Sequence, residues 1–224
     1  MIFTFWEGDM PEYIKLCMKT WKLDYIVLNY NNLNQYTDLT ISDNLKRFTL
    51  PQIADIVRVH TLRDNGGYWL DADTIMITNE LPKENMIGFP EIRANTIGYL
   101  HTDKNSEMYK EWAKYQDNII NAKDIDYSWD IVGNRFTDRY VATHPEITIA
   151  NVERCWAETY MITDEIPRRA KYEKFYFKSN YKLNDLLETN RLMLHNSWTT
   201  KFYKDSKNPL EIECTMSNIL KELV

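Results

Sequence analysis

The order of apolar and polar residues at the start of the chain predicts a strand, a helix and a second strand. An apolar run over residues 1–6 is typical of a buried strand, a helix is predicted over 10–21, and a second strand over 25–28. Strand, helix and strand at this spacing are typical of the βαβ unit that opens a nucleotide-binding α/β domain. We therefore expect parallel strands in the sheet.

The next periodic segment predicts a helix over residues 51–65. Proline suits its first turn, and Asn65-Gly66-Gly67 suits a helix end. Asp55 and Arg58 share one face of this helix. The neighbouring face is an apolar stripe made of Ile53, Ile56, Val57 and His60.

Residues 68–77 are mostly β-branched, aromatic or long and apolar, so they predict a strand that carries Asp71 and Asp73. Residues two apart on a strand point the same way, so the two carboxylates are expected to project together. A divalent cation relieves their repulsion, and such hard oxygen ligands suit magnesium, manganese or calcium. A solvated Asp-x-Asp turn has the same sequence, so the triplet alone does not establish a metal site.

The residues around this triplet resemble the signature of the sugar transferases with a DXD motif. The matching run is Ala54-Asp55-x-x-Arg58-x-x-x-Leu62-x-x-x-Gly66-Gly67-x-Trp69-Leu70-Asp71-x-Asp73. That family includes capsular polysaccharide synthesis proteins and α-mannosyltransferases, and it is similar to the catalytic core of the clostridial glucosylating toxins. The resemblance implies an α/β fold of the GT-A nucleotide-diphospho-sugar transferase type, with a mixed, mainly parallel sheet flanked by helices.

Both ends of the chain carry further resemblance to this family. The run Phe5-Trp6-Glu7-Gly8-x-Met10-Pro11 is similar to the segment that holds the nucleotide base, which implies that Trp6 binds the base. A core tryptophan is an equal alternative. The run His195-Asn196-Ser197-Trp198 resembles a carboxy-terminal motif in which the histidine approaches the metal, and Ser197 and Trp198 approach the diphosphate. A purely structural histidine is the alternative.

The resemblance implies a role for each polar residue of the signature. Asp73 is expected to ligate Mn²⁺ or Mg²⁺ directly, with His195 as a further ligand, and Asp71 to bind the ribose or reach the metal through water. Asp55 and Arg58 are expected to hold hydroxyls of the donor sugar. A helix ion pair at i, i+3, worth only ~0.2–0.5 kcal/mol, would have the same spacing.

The implied activity is a metal-dependent, retaining transfer of a sugar from a nucleotide-sugar donor, a UDP-sugar. The acceptor is expected to be a glycan or a lipid-linked oligosaccharide in surface polysaccharide synthesis. Three other classes stay open: a nucleotidyltransferase or other metal-dependent phosphoryl enzyme, a glycoside hydrolase with two carboxylates, and a non-catalytic carbohydrate-binding module.

The 224 residues are expected to form a single glycosyltransferase domain. Residues 1–78 would be the nucleotide-sugar half, which ends in the DXD strand, and residues 79–224 the acceptor half with a carboxy-terminal lid. The lid is placed in the polar and mobile stretch 199–207. Further helices are predicted over 105–121 and 129–143, with Ser128 or Asp126 as the cap of the second, and further strands over 86–89, 96–101, 147–150 and 160–162.

The composition limits the kinds of binding partner and the cellular compartment that we expect for this protein. The net charge of −6 argues against a nucleic-acid partner, and the 15 tyrosines and 7 tryptophans suit stacking on sugars as well as an aromatic core. Three cysteines without zinc spacing indicate a reducing compartment. The amino terminus lacks the features of a signal peptide, and no apolar run is long enough to span a membrane. We expect a cytoplasmic protein, with peripheral contact to the inner face of the plasma membrane left open.

Overall fold

The computed structural model describes residues 1–90, 93–125, 127–151, 168–186, 190–203 and 208–224. The strand predicted at 160–162 and the cap Asp126 lie outside these residues. The chain divides into two compact units. The first contains Met1–Gly8, Asp24–Asp71 and Pro82–Asn151, and the second contains Asp9–Leu23, Ala72–Leu81 and Val152–Val224. The single domain expected from the sequence stays a prediction.

The regular elements of the described residues alternate between strand and helix over much of the chain. The strands are β1 (Ile2–Phe5), β2 (Tyr25–Leu28), β3 (Gly67–Leu70), β4 (Thr74–Met76), β5 (Met86–Phe89), β6 (Ala94–Thr102), β7 (Ile149–Asn151) and β8 (Arg191–Met193). The helices are α1 (Glu12–Lys19), α2 (Leu50–Asn65), α3 (Glu107–Asn121), α4 (Asn134–Thr143), α5 (Arg168–Lys178), α6 (Asn196–Tyr203) and α7 (Thr215–Leu223).

The first unit is built on a six-stranded sheet with the strand order β2-β1-β3-β6-β5-β7. Strand β1 runs parallel to β2 and β3, and β5 runs parallel to β7. Strand β6 runs antiparallel to both of its neighbours, β3 and β5. The predicted mixed, mainly parallel α/β sheet is therefore confirmed.

Helix α2 packs on this sheet through its predicted apolar stripe, and Ile53, Ile56 and Val57 are buried in the core of the first unit. The helix begins in a capping box, in which the Gln52 side chain accepts a hydrogen bond from the backbone N–H of Thr49 at 3.1 Å. The cap and the stripe together fix which residues of α2 face away from the sheet.

Two glycines connect α2 to β3 at positions where the backbone leaves no room for a side chain. Gly66 and Gly67 have φ of +68° and +91°, in the left-handed region that favours glycine. A Cβ on Gly66 would lie 2.5 Å from the backbone nitrogen of Lys104, and one on Gly67 would lie 2.6 Å from the carbonyl oxygen of Met1. The pair therefore determines where β3 starts.

The single strand predicted across the two aspartates is wrong. Strand β3 ends at Leu70 and β4 begins at Thr74, so Asp71 and Asp73 lie in the turn between them. The two strands also belong to different sheets, so the alternation of side chains along one strand does not apply to these aspartates. The apolar flanks suit a strand on both sides, and strand propensity does not reveal where the pairing partner changes.

Two further predicted segments differ from the structure. Helix α4 begins at Asn134 rather than at residue 129, because the preceding residues form a turn in which the backbone N–H of Gly133 donates to the Asp130 carbonyl at 3.0 Å. Residues 199–203 belong to helix α6, which buries Thr199 and Tyr203 one turn apart, and the carboxy-terminal lid expected over 199–207 stays a prediction. Residues 204–207 lie outside the described part of the chain.

The second unit contains the two-stranded antiparallel sheet of β4 and β8, with Thr74 opposite Met193. Helix α1 is tied to β4 at its end, because Trp21 Nε1 donates to the carbonyl of Thr74 at 2.8 Å and Thr20 Oγ1 accepts from the backbone N–H of Met76 at 2.8 Å. Within the described ranges, none of the helices has the length and apolar character that crossing a bilayer requires.

Candidate active site

Four side chains of the first unit form a polar cluster where β3 ends. Arg58 Nη2 lies 2.8 Å from Asp55 Oδ1 and 3.0 Å from Asp71 Oδ1. Its Nη1 donates to the carbonyl oxygen of Ile97. Trp69 Nε1 donates to Asp71 Oδ1 at 2.9 Å, and the Arg58 guanidinium carbon lies 5.2 Å from the centroid of the Trp69 ring. We call Asp55, Arg58, Trp69 and Asp71 the Arg58 cluster.

Two neighbouring elements place this cluster. Asp55 and Arg58 lie one turn apart on α2, and Asp71 follows the last residue of β3. Strand β3 runs parallel to its neighbour β1. The cluster therefore lies at the carboxyl end of a parallel strand, which is where open α/β sheets bind ligands.

The ion pair between Asp55 and Arg58 is buried. The side chain of Arg58 is 4% exposed and that of Asp55 is 15% exposed. The helix ion pair that the spacing predicts is therefore present, but it is buried rather than solvated. Leaving a buried guanidinium without a counter-charge is costly, and here two carboxylates supply it. This pairing therefore holds all three side chains in place.

Burial raises the pKa of Asp55 from its ordinary 3.8 to about 6, because the cost of desolvating its carboxylate exceeds the stabilisation by the Arg58 guanidinium. The nearby Asp71 carboxylate raises this pKa further. Desolvation therefore sets the direction of the shift of the Asp55 pKa, and the second carboxylate adds to it.

This raised pKa predicts that the contribution of Asp55 to the free energy of unfolding falls as the pH rises from 4 to 6.5. In that range the native protein holds the Asp55 proton while the unfolded chain has released it, so rising pH favours unfolding. The gap between 3.8 and about 6 corresponds to ~3 kcal/mol. Urea unfolding of the wild type and of Asp55→Asn across this range measures it. A stability difference between the two proteins that does not change with pH would contradict the raised pKa.

Two side chains of helix α3 bind backbone carbonyls next to the Arg58 cluster. Gln116 Nε2 donates to the carbonyl of Asp55 at 3.1 Å and to that of Val132 at 2.6 Å. Trp112 Nε1 also donates to the Val132 carbonyl, at 3.0 Å. The next residue, Gly133, lies so close that a Cβ there would be 3.2 Å from Asp55 Oδ2. The turn before α4 is thus fixed against the cluster.

Sequence reasoning missed the roles of Trp69, Gln116 and Gly133. Trp69 lies two residues before Asp71, and that spacing beside a strand end could have indicated a shared face. Gln116 and Gly133 reach Asp55 only through tertiary packing, so no local pattern points to them.

In the second unit, the end of β8 runs beside Asp73. The backbone N–H of Leu194 donates to the Asp73 carbonyl at 3.2 Å, and His195 is the next residue. The His195 backbone N–H donates to the Tyr172 hydroxyl at 3.2 Å, and its ring lies 4.1 Å from that of Trp198. Trp198 is half-buried, and its ring is 5.2 Å from that of Tyr172. Ser197 is exposed in the first turn of α6.

A carboxylate beside an imidazole suits a borderline cation such as Mn²⁺, so Asp73 and His195 are of the right chemical type for a metal. Within the described residues, no three acidic, histidine or cysteine side chains are gathered as a cation site. The predicted ligand set of Asp71, Asp73 and His195 therefore stays a prediction.

Trp6 follows β1 in the first unit and is half-buried. Its backbone N–H donates to the carbonyl of Leu28 at 2.9 Å, while its buried indole Nε1 has no partner within the described residues. A buried indole N–H normally finds an acceptor. The predicted contact between Trp6 and a nucleotide base stays a prediction.

Comparison with known proteins gives a match over most of the chain. A family model described as capsular polysaccharide synthesis protein matches residues 1–211, which contain all the candidate site residues. No curated protein matches the chain. Among solved structures, the chain is similar to the PaToxG glycosyltransferase, with a TM-score of 0.44 and 16% identity over 65% of this chain and 68% of that one.

Proposed function

Because the chain belongs to the family of capsular polysaccharide synthesis proteins and is therefore a glycosyltransferase, we propose that it moves a sugar from a UDP-sugar to a glycan or lipid-linked acceptor. The observation that carries this proposal is the Arg58 cluster at the carboxyl end of β3. It offers both charged acceptors and a charged donor, and it runs from the largely buried Asp55–Arg58 pair to the partly exposed Asp71. Such a fixed set of groups suits the hydroxyls of one sugar.

Two unpartnered groups support a sugar beside Arg58. Arg58 Nε and the Tyr109 hydroxyl are both buried, and neither has a hydrogen-bond partner among the described residues. A buried donor without an acceptor costs ~1–3 kcal/mol. We propose that hydroxyls of the donor sugar supply the missing partners and that the Asp55 carboxylate accepts from another hydroxyl.

Asp71 is proposed to hold the ribose, or a water on the metal. In the part of the chain that the structure describes, the hydrogen bonds to its carboxylate from Arg58 and Trp69 both fall on Oδ1. Its side chain is 35% exposed, so Oδ2 is open to a ligand. Within the cluster, Asp55 and Arg58 would thus bind the sugar, and Arg58 and Trp69 would orient Asp71.

Asp73 and His195 are proposed to hold Mn²⁺ or Mg²⁺. When bound, such a cation neutralises the charge that the leaving diphosphate gains as its bond to the anomeric carbon breaks. Asp73 contributes the hard oxygen ligand and His195 a nitrogen beside it. We further propose, from the family resemblance, that the product keeps the anomeric configuration of the donor.

Trp198 and Ser197 are proposed to contact the diphosphate, and Trp6 to contact the base. Trp198→Phe should slow transfer by roughly ten- to a hundredfold, because it removes one charge-assisted hydrogen bond of ~1.5–3 kcal/mol. The melting temperature should change little, since phenylalanine preserves aromatic packing on Tyr172. Transfer rates and unliganded melts of both proteins test this. A collapsed melt with a wild-type rate for the folded fraction would make Trp198 a core residue only.

A thermal-shift screen of sugar nucleotides with and without Mn²⁺ tests the proposed function. A ligand that binds only the native state raises the melting temperature by mass action. We expect a UDP-sugar to do so more strongly with Mn²⁺, and its turnover to release UDP. Release of pyrophosphate from a nucleoside triphosphate would instead identify a nucleotidyltransferase, and glycan binding without any donor turnover would identify a binding module.

A further inference from the structure

An exposed apolar patch lies on the first unit beside the start of α2. It consists of Leu50, Tyr127 and Trp129, which are 43%, 46% and 75% exposed. The two segments that carry it are joined, because Gln52 Nε2 donates to the carbonyl of Ser128 at 3.0 Å. We call these three residues the aromatic patch. Exposed apolar residues that are grouped in this way indicate a binding surface more often than isolated ones do.

The backbone under the aromatic patch is well anchored, so the exposure of Trp129 does not come from a loose loop. The Tyr127 ring packs 5.6 Å from that of Phe48. The backbone N–H of Ile131 donates to the carbonyl of Ser128 at 3.2 Å. A large aromatic side chain held in solvent by an ordered backbone is a ready platform for a flat apolar ligand face.

Trp129 of the aromatic patch is close in sequence to Gly133, which packs against the Arg58 cluster. Gly133, whose Cα faces Asp55 Oδ2, follows Trp129 by four residues. Four residues span at most ~14 Å when fully extended, and this segment is folded into a turn. The backbone at Trp129 therefore lies within ~14 Å of the residue that packs against Asp55, a distance that a few sugar units would span.

We propose that the aromatic patch binds the acceptor glycan, with one sugar ring stacked on Trp129. This inference rests on the proposed function, which supplies the need for a glycan acceptor. The C–H face of a pyranose is apolar and packs on an indole, while its rim of hydroxyls needs polar partners. Asp130 and Arg135, which pair at 3.2 Å with both side chains about 30% exposed, supply a carboxylate and a guanidinium next to Trp129.

The charge around the patch favours a glycan over a membrane surface. Residues 120–140 contain four aspartates against one lysine and two arginines. Attraction to an anionic bilayer requires a cluster of basic residues, which this segment lacks. A neutral or weakly charged polyhydroxylated ligand fits both the aromatic rings and the mixed charges.

Replacement of Trp129 tests this assignment. Trp129→Ala should raise the KM for the acceptor by roughly 10- to 100-fold, because the loss of one aromatic side chain that stacks on a ligand ring weakens binding by about this much in other complexes. The probe is surface polysaccharide from the organism that encodes the chain, cleaved to oligosaccharides. Acceptor-independent hydrolysis of the donor and the melting temperature should stay unchanged, because Trp129 is 75% exposed.

Two control variants sharpen the experiment. Trp129→Phe should restore much of the acceptor affinity, since it keeps an aromatic face. Tyr181→Ala removes another exposed aromatic residue, 46% exposed in the second unit, and should leave the acceptor KM unchanged. Equal acceptor KM values for the wild type and Trp129→Ala would overturn the assignment.

Two other outcomes separate this inference from the proposed function. In one, the wild type floats with phosphatidylserine vesicles, Trp129→Ala does not, and the acceptor KM is the same for both proteins. That result would assign the patch to a membrane and overturn the glycan assignment. Oligosaccharide binding that depends on Trp129, in a protein that turns over no sugar nucleotide, would support the glycan assignment and overturn the proposed transfer.

Discussion

Arg58→Lys is expected to lower the rate of sugar transfer by roughly 10²–10³-fold, as the loss of a preorganised charged donor does at other active sites. Arg58 bonds at once to Asp55, to Asp71 and to the carbonyl of Ile97. A lysine preserves the positive charge but not the planar fork of donors, so it cannot make these contacts together. The two carboxylates would then lose the orientation that the proposed donor site requires.

Calorimetry with UDP-sugar and with UDP separates the two roles of Arg58. We expect Arg58→Lys to weaken binding of the sugar nucleotide much more than binding of UDP, and equal weakening of both would contradict a contact with the sugar. Arg58→Ala should in addition lower the free energy of unfolding by ~3–5 kcal/mol, because it leaves the largely buried Asp55 carboxylate without its counter-charge. Arg139→Lys, at an exposed position on α4, is the matched control and should change neither property.

Asp73→Asn is expected to reduce transfer by at least ~10³-fold at every Mn²⁺ concentration tested. An amide of nearly the same shape replaces the charged oxygen that we propose as the direct metal ligand, and the charge of the leaving diphosphate would lose its main partner. The fold should persist, because the contact between Asp73 and Leu194 uses the backbone carbonyl, which asparagine retains.

The measurement is donor turnover for Asp73→Asn and for the wild type, with Mn²⁺ and with a chelator. Asp103→Asn, at an exposed aspartate after β6, serves as the control and should behave as the wild type. Full activity of the wild type in chelator would end the metal hypothesis. Wild-type turnover by Asp73→Asn would leave the metal open but remove Asp73 as its ligand.

Local signals in the sequence were sufficient for helix α2, which carries Asp55 and Arg58. Thr49, Gln52 and Pro51 mark the start of α2, and the apolar stripe gives its buried face. The i, i+3 spacing of Asp55 and Arg58 identified a pair, but not its burial, because burial depends on what covers α2. The bond from Arg58 to Asp71 joins a helix to a strand end, and the family resemblance rather than any local pattern brought these residues together.

The errors arose where tertiary contacts override local preference. Residues 129–133 are compatible with a helix, yet the Val132 carbonyl is bound by Trp112 and Gln116 and is unavailable to a helical N–H. The turn at Asp71 and Asp73 looked like strand because strand formers surround it. The partners that override the local preference are Trp112 and Gln116 for the Val132 carbonyl and strand β8 for strand β4. All of them lie far along the chain from the residues they bind, so a short window of the sequence does not contain them.

The crowding at Gly66 and Gly67 bears on how a mutant library of this protein should be interpreted. Almost any replacement at these positions must displace the backbone of Lys104 or Met1, so such variants should already be depleted in a screen for expression alone. Variants of Asp73 should pass that screen and fail only under selection for capsule formation. Sequencing both populations would therefore distinguish positions required for folding from positions required for the reaction, without purifying a single variant.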